Sequence, residues 1–204
     1  MSDTILAKGT ESKFAPHPEG QFVGQCVDVL ALGDKVQDFP GTEPYLAPTC
    51  ALVFRTGEQN HETGECIDIA REFTVSMGEK ANLRKFLEQW RGRPYTKEQV
   101  TAGVPIDKLT GQHALLSVAH RTSGKGRVYA NITACVGVPK AMLATVTAYT
   151  DYVRAEYWET KKQEYAEAAA RFKADQSPKA TKHDGTFDDF PAALEDDDDS
   201  NLPF

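Results

Sequence analysis

The chain has 204 residues and a formal net charge of −7. That is long enough for one domain of about 150 residues plus additional segments, and too acidic to surround a polyanion with a uniform basic field. No run approaches the roughly 20 apolar residues of a membrane span. The opening Met1-Ser2-Asp3-Thr4 has neither the basic nor the apolar region of a secretory signal, so a cytoplasmic protein without a membrane partner is expected. The charge is uneven: residues 184–204 hold eight acidic side chains and no Lys or Arg, which leaves 23 basic against 22 acidic residues in 1–183. A near-neutral body of this kind is compatible with a local basic groove.

Residues 1–20 read as an arm. Lys8, Lys13, Phe14, Pro16, His17 and Pro18 mix basic, aromatic and proline side chains without periodicity. The arm either lies along a bound partner or caps the domain that follows. A first strand is expected over 21–32, with Gly24 marking a bulge or bend. Gly33, Asp34, Pro40, Gly41, Pro44 and Pro48 predict a long loop over 33–48, carrying Lys35, Phe39 and Tyr45. A second strand follows over 49–56, then a polar hairpin loop over 57–64. A third strand is expected over 65–75, along which Ile67, Ile69, Phe73 and Val75 alternate.

The period then changes. Leu83, Phe86, Leu87 and Trp90 have the spacing of one helical face, Ser76-Met77-Gly78-Glu79 has capping-box form before them, and Gly92 and Pro94 stop the run. Thr96-Lys97-Glu98-Gln99 is a second capping box, predicted to open a short helix. Two further strands are expected over 114–121 and 127–136, joined by the glycine-rich hairpin Thr122-Ser123-Gly124-Lys125-Gly126. A long helix is predicted over about 142–174, since Tyr149, Val153, Tyr157, Lys161, Tyr165 and Ala169 step by four. Its aromatic side either packs on the strand domain or self-associates, which makes a homo-oligomer an open expectation. From 176 onward Ser, Pro, Gly and Asp predominate and no packed structure is expected.

The expected organisation is therefore an arm (1–20), a domain (21–139), a C-terminal helix (140–175) and an acidic tail (176–204). Three strands, a helix and two strands define a mainly β fold with helices. That order matches the OB-fold, a five-stranded barrel with a helix between strands 3 and 4, which binds oligonucleotides across strands 2 and 3 and the 1-2 and 4-5 loops.

No enzyme signature is found: no phosphate-binding Gly-rich loop, no Gly-x-Ser-x-Gly elbow, no His-Glu-x-x-His. Cys26, Cys50, Cys66 and Cys135 are widely spaced, each in a stretch read as strand, and are expected to be reduced thiols. No metal or other cofactor is expected. Sequence-independent binding of a single strand needs cations that follow phosphates and aromatic faces that stack bases. On an OB surface the candidates are Arg121, Lys125, Arg127 and Tyr129 on the 4-5 hairpin, Arg55 and Arg71 on strands 2 and 3, and Tyr45 on the 1-2 loop. Arg91 and Arg93 are secondary candidates. Parity places Arg55 opposite Leu52 and Phe54, whereas Arg71 shares the parity of Ile69 and Phe73.

Two stretches carry a family resemblance. Asp196, Asp197, Asp198 and Asp199 followed by Leu202, Pro203 and Phe204 resemble the acidic C-terminal tip of bacterial and bacteriophage single-stranded DNA-binding proteins. The stretch from Phe73 to Thr96, with Phe14-Ala15-Pro16-His17-Pro18-Glu19-Gly20 and Arg127-Val128-Tyr129-Ala130-Asn131-Ile132, resembles phage-encoded OB-fold members of that class. The long helix near 142–174 is a departure from it. The resemblance implies a non-catalytic protein that holds single-stranded DNA in replication, recombination or repair, and whose tail recruits enzymes of those processes. Two alternatives stay open. One is an OB protein-interaction module or inhibitor whose acidic tract imitates nucleic acid; the other is an RNA-binding OB protein.

Overall fold

A computed structural model describes residues 16–124 and 126–176. Its frame is a five-stranded antiparallel sheet: β1 (Gly20–Gln37), β2 (Tyr45–Arg55), β3 (Ile69–Thr74), β4 (His113–Thr122) and β5 (Val128–Gly137), in the spatial order β3-β2-β1-β4-β5. Helix α1 (Asn82–Arg91), a short α2 (Lys97–Ala102) and a 3-10 turn (Ile106–Leu109) lie between β3 and β4. A second 3-10 turn (Lys140–Thr145) and α3 (Tyr157–Gln176) follow β5. The sheet is open: among the described residues β3 and β5 are its edges and do not pair with each other.

One face of the sheet curls over α1. Leu83, Phe86, Leu87 and Trp90 enter a core formed by Cys26, Leu52, Phe54, Ile69, Phe73, Leu116, Ile132 and Cys135. The Trp90 Nε1 donates to the His113 carbonyl at 3.0 Å, so the one polar atom of that ring is satisfied. Burying four such side chains contributes about 6–12 kcal/mol. A helix cap is worth about 1 kcal/mol, and α1 forms without one: its N-cap is Ala81, which makes no side-chain hydrogen bond. Ser76-Met77-Gly78-Glu79 is therefore not the cap the sequence suggests. Gly92 does end α1 in the left-handed conformation, at φ 70°. Thr96 and Gln99 form the expected capping box of α2.

Strand boundaries depart from the sequence reading in a consistent way. β1 runs on to Gln37, because Lys35, Val36 and Gln37 pair with Ala47, Leu46 and Tyr45 of β2, so only residues 38–44 remain as a turn. The irregularities of β1 lie between Cys26 and Asp28 and between Ala31 and Gly33, not at Gly24. Gly24 instead lets the Arg55 carbonyl come within 3.2 Å of where a Cβ would stand. β3 begins only at Ile69, and Cys66 makes an isolated bridge with Gln59 outside any strand. Cys26, Cys50 and Cys135 are buried in the core, where burial pushes their thiols upward, Cys50 to about 11 and Cys26 to about 12.

The largest correction concerns the C-terminal tract. The helix starts at Tyr157, not near Met142. Residues 146–155 form an irregular strap across the sheet. The strap is pinned by Tyr149 N–H to Gln25 Oε1 at 2.6 Å and by the Arg154 guanidinium to both Asp28 oxygens at 2.8 and 3.0 Å. α3 then packs along β1, and its Trp158 and Tyr165, with Tyr152 of the strap, flank a second apolar cluster of Leu30, Leu32, Ala51 and Val53. β2 is consequently buried on both faces from Thr49 to Arg55. No described helix is long and apolar enough to cross a membrane.

The described end of the arm caps the sheet. His17 is 2% exposed, its Nε2 is 2.7 Å from Thr56 Oγ1, and its carbonyl lies 2.8 Å from His120 Nε2. Residues 1–15 lie outside the described part of the chain.

Candidate functional site

Alternation along β3 sends Ile69, Arg71 and Phe73 towards α1, and Ala70, Glu72 and Thr74 to the opposite, outer face. That outer face opens at two ends. At one end is a groove of about 840 Å³ lined by Lys35, Phe39, Tyr45, Glu72, Thr74 and Lys80. Phe39 and Tyr45 are each about half exposed there, at 52% and 47%. The fold thus joins the turn after β1 to the segment between β3 and α1, which the sequence reading had left unconnected. Lys80 is new to the set.

At the other end is a pocket of about 620 Å³ lined by Val53, Ile67, Ala70, Tyr152, Trp158 and Arg127, with Cys66 and Tyr157 also on its wall. Arg127 reaches it from the β4–β5 hairpin. Tyr157 was expected on an aromatic stripe that packs or self-associates, with Trp158 off that row. Their position at the first turn of a helix laid on the sheet was not legible without knowing where that helix starts.

Between the two openings, side chains of α3, which itself packs along β1, reach β3 at Glu72. The Lys161 ammonium and the Tyr165 hydroxyl (2.7 Å) both donate to the Glu72 carboxylate, and Lys35 Nζ is 3.5 Å from it. Burial alone would raise the Glu72 carboxyl. The hydrogen bonds from Lys161 and Tyr165 outweigh it and hold the group below the usual carboxylate range. Lys161 is held above its ordinary value: burial lowers it, and its hydrogen bonds to Glu72 and Tyr157 together with the Glu72 charge more than offset this.

The remaining expected residues fall into three sets. Arg55 is on the outer face, as parity requires, but it is 8% exposed. Its guanidinium is held by Asp68 at 2.7 and 2.9 Å and by Asp151 of the strap at 3.3 Å, with the Tyr152 ring against it at 5.3 Å. Its charge is already matched by these carboxylates.

Arg71 faces the core, donates to the Ile132 carbonyl at 2.7 Å and stacks on Phe73 and Phe86. Burial, and then the charge of Arg121, lower its pKa. Arg121 and Tyr129 are exposed cross-strand partners on β4 and β5, beside that seam. Arg91, the last residue of α1, lies over the Tyr95 ring at 4.1 Å, and Arg93, just past the helix, is exposed; neither lines the groove or the pocket. Among the described residues, no carboxylate oxygen lies within 4.0 Å of Arg71, Arg91, Arg93, Arg121 or Arg127.

Lys125 and the tail residues Asp196, Asp197, Asp198, Asp199, Leu202, Pro203 and Phe204 lie outside the described part. No group of His, Cys, Asp and Glu able to hold a metal ion occurs among the described residues. Chemically, the outer face offers exposed aromatic rings for planar groups and unpaired cations for anionic ones, at both ends of one strand. No protein-family model matches the chain, and no curated protein is found to match it.

Proposed function

We propose that this is a non-catalytic, OB-fold single-stranded DNA-binding protein that binds without sequence preference. In this reading the sheet is an OB barrel whose closing edges, β3 and β5, meet through Arg71 and Ile132. The strand order and the position of α1 between β3 and β4 support it. The observation that carries the function is the pairing of exposed aromatic and basic side chains at both ends of the β3 outer face. Phe39, Tyr45, Lys35 and Lys80 stand at one end, and Arg127 with Tyr157 and Trp158 at the other. Bases stack on such rings for roughly 1–3 kcal/mol each, and cations follow the backbone. The acidic tail, with Asp196, Asp197, Asp198, Asp199, Leu202, Pro203 and Phe204, is the address by which replication, recombination or repair proteins are recruited, through basic residues around an apolar pocket on the partner. We place the protein in the cytoplasm, as a phage-type protein acting in its bacterial host.

Fluorescence anisotropy with labelled oligo-dT tests the reading. Binding in the submicromolar range that weakens linearly in log salt is expected. Equally tight binding to a blunt duplex, or none to oligo-dT, overturns it. A second reading, a protein-interaction module or inhibitor, is favoured by one observation: the strap and α3 cover the middle of the outer face and neutralise Arg55. It predicts no single-strand binding at moderate salt.

A further inference from the structure

We infer that α3 is a displaceable cover, clasped to β3 at Glu72, which divides one continuous strand-binding groove into the two openings. The inference rests on the single-strand reading of that face. Ala70 lines the pocket, Thr74 lines the groove, and Glu72 stands between them on the same side of the same strand. At about 3.3 Å per residue, Ala70 and Thr74 are only about 13 Å apart. What separates the openings is the clasp that Lys161 and Tyr165, reaching over from α3, make on Glu72.

α3 runs along β1 and covers the second apolar cluster, but little of the helix itself is buried. Of its 20 residues only Ala169 is buried, with Trp158 and Tyr165 half-buried on the second cluster. Polar contacts add to this: Lys161 and Tyr165 to Glu72, and Lys173 to Asp34 at 3.7 Å. Ion pairs at a wet rim are weakened by salt and by competing phosphates. α1, by contrast, inserts four side chains into the main core and cannot leave without unfolding it. When α3 lifts, Lys35 and Lys161 both exchange the Glu72 carboxylate for whatever anion enters. The groove then runs uninterrupted from Tyr45 to Arg127, and Tyr157 and Trp158 move with the helix instead of staying fixed on its wall.

Two measurements on the full-length chain decide it. In hydrogen exchange with and without saturating oligo-dT, peptides within 157–176 should exchange faster in the complex. Unchanged or greater protection of α3, with oligo-dT demonstrably bound, overturns the cover. In anisotropy, Lys161→Ala removes a positive charge and also opens the clasp. Simple electrostatics predicts weaker binding; a cover predicts tighter binding, by about threefold or more, because the competent state becomes more populated. Weaker binding overturns the inference while leaving the single-strand reading intact. No binding by either the native or the variant chain overturns both.

Discussion

The Arg71 guanidinium of β3 donates to the Ile132 carbonyl of β5 across 2.7 Å, so a half-buried side chain joins the two strands that end the sheet. The same group lies over Phe73 and Phe86, at 5.1 and 5.4 Å from their ring centres. Arg71→Met keeps the bulk but leaves the Ile132 carbonyl without this donor. The expected loss is about 1–3 kcal/mol of stability, read as a lower urea midpoint with an unchanged slope. Oligo-dT affinity, measured where the variant is folded, should stay within about twofold, because the side chain faces the core. A large loss of affinity with native stability would reverse this assignment.

Arg55 offers a contrasting case on the outer face. Asp68 holds it twice and is itself half-buried, whereas Asp151 is largely exposed. Removing Arg55 strands the Asp68 charge, so Arg55→Ala should cost about 3 kcal/mol. Asp151→Ala should cost at most about 1 kcal/mol, as exposed pairs do. Thermal melts of the two variants check the order. Equal costs would mean that the strap contact at Asp151 matters as much as the buried pair.

The element order was legible because hydrophobic periodicity survives in single sequences: the Leu83, Phe86, Leu87, Trp90 stripe is α1, and Thr96 with Gln99 does cap α2. Residues 142–156 misled for a physical reason. Tyr149 and Val153 fall at helical spacing from Tyr157, yet Val146, Thr147, Thr150 and Val153 are β-branched and gain little from a helix. The backbone there finds partners on β1 and β4 instead, such as Gln25 and His113. The run Cys50-Ala51-Leu52-Val53-Phe54 was a missed signal. An unbroken apolar strand is one buried on both faces, and it indicated that some later segment must cover the outer side. Of the site, the residue types were legible and their pairing was not. Arg55 and Arg71 are ordinary candidates in sequence, and only the fold reveals Asp68 beside one and Ile132 beside the other.

The free cations should govern salt dependence. Arg121→Ala with Arg127→Ala removes two exposed charges that have no carboxylate partner among the described residues. The slope of log affinity against log salt should become shallower by about 1.4, at about 0.7 per lost phosphate contact on a single strand. Tyr45→Ala removes a half-exposed ring and should cost roughly 1–3 kcal/mol of affinity with the slope unchanged. The two variants separate the cationic from the stacking part of the interface. A changed slope in Tyr45→Ala would mean that the ring acts by positioning Lys35 or Lys80.

The Glu72 clasp should respond to acid. Its carboxyl is held below the usual range, by the hydrogen bonds of Lys161 and Tyr165 and the nearby charge of Lys35, against the opposing effect of burial. A depressed carboxylate contributes stability that is fully present above its unfolded pKa, near 4.3, and is lost as the pH falls through the folded value. Lys161 is raised, so its contribution is present below the unfolded lysine value, near 10.4, and is lost as the pH rises through the higher folded one. Between those limits the attachment of α3 should not vary through these groups. Trp158 reports on it directly in a Trp90→Phe chain, since it is half-buried where α3 meets the second cluster. Its emission should hold steady from pH 6 to 9 and shift to the red below about pH 4. Glu72→Gln should show the red-shifted emission already at neutral pH and lose the acid step. An acid step of native size in that variant would assign it to a group other than Glu72.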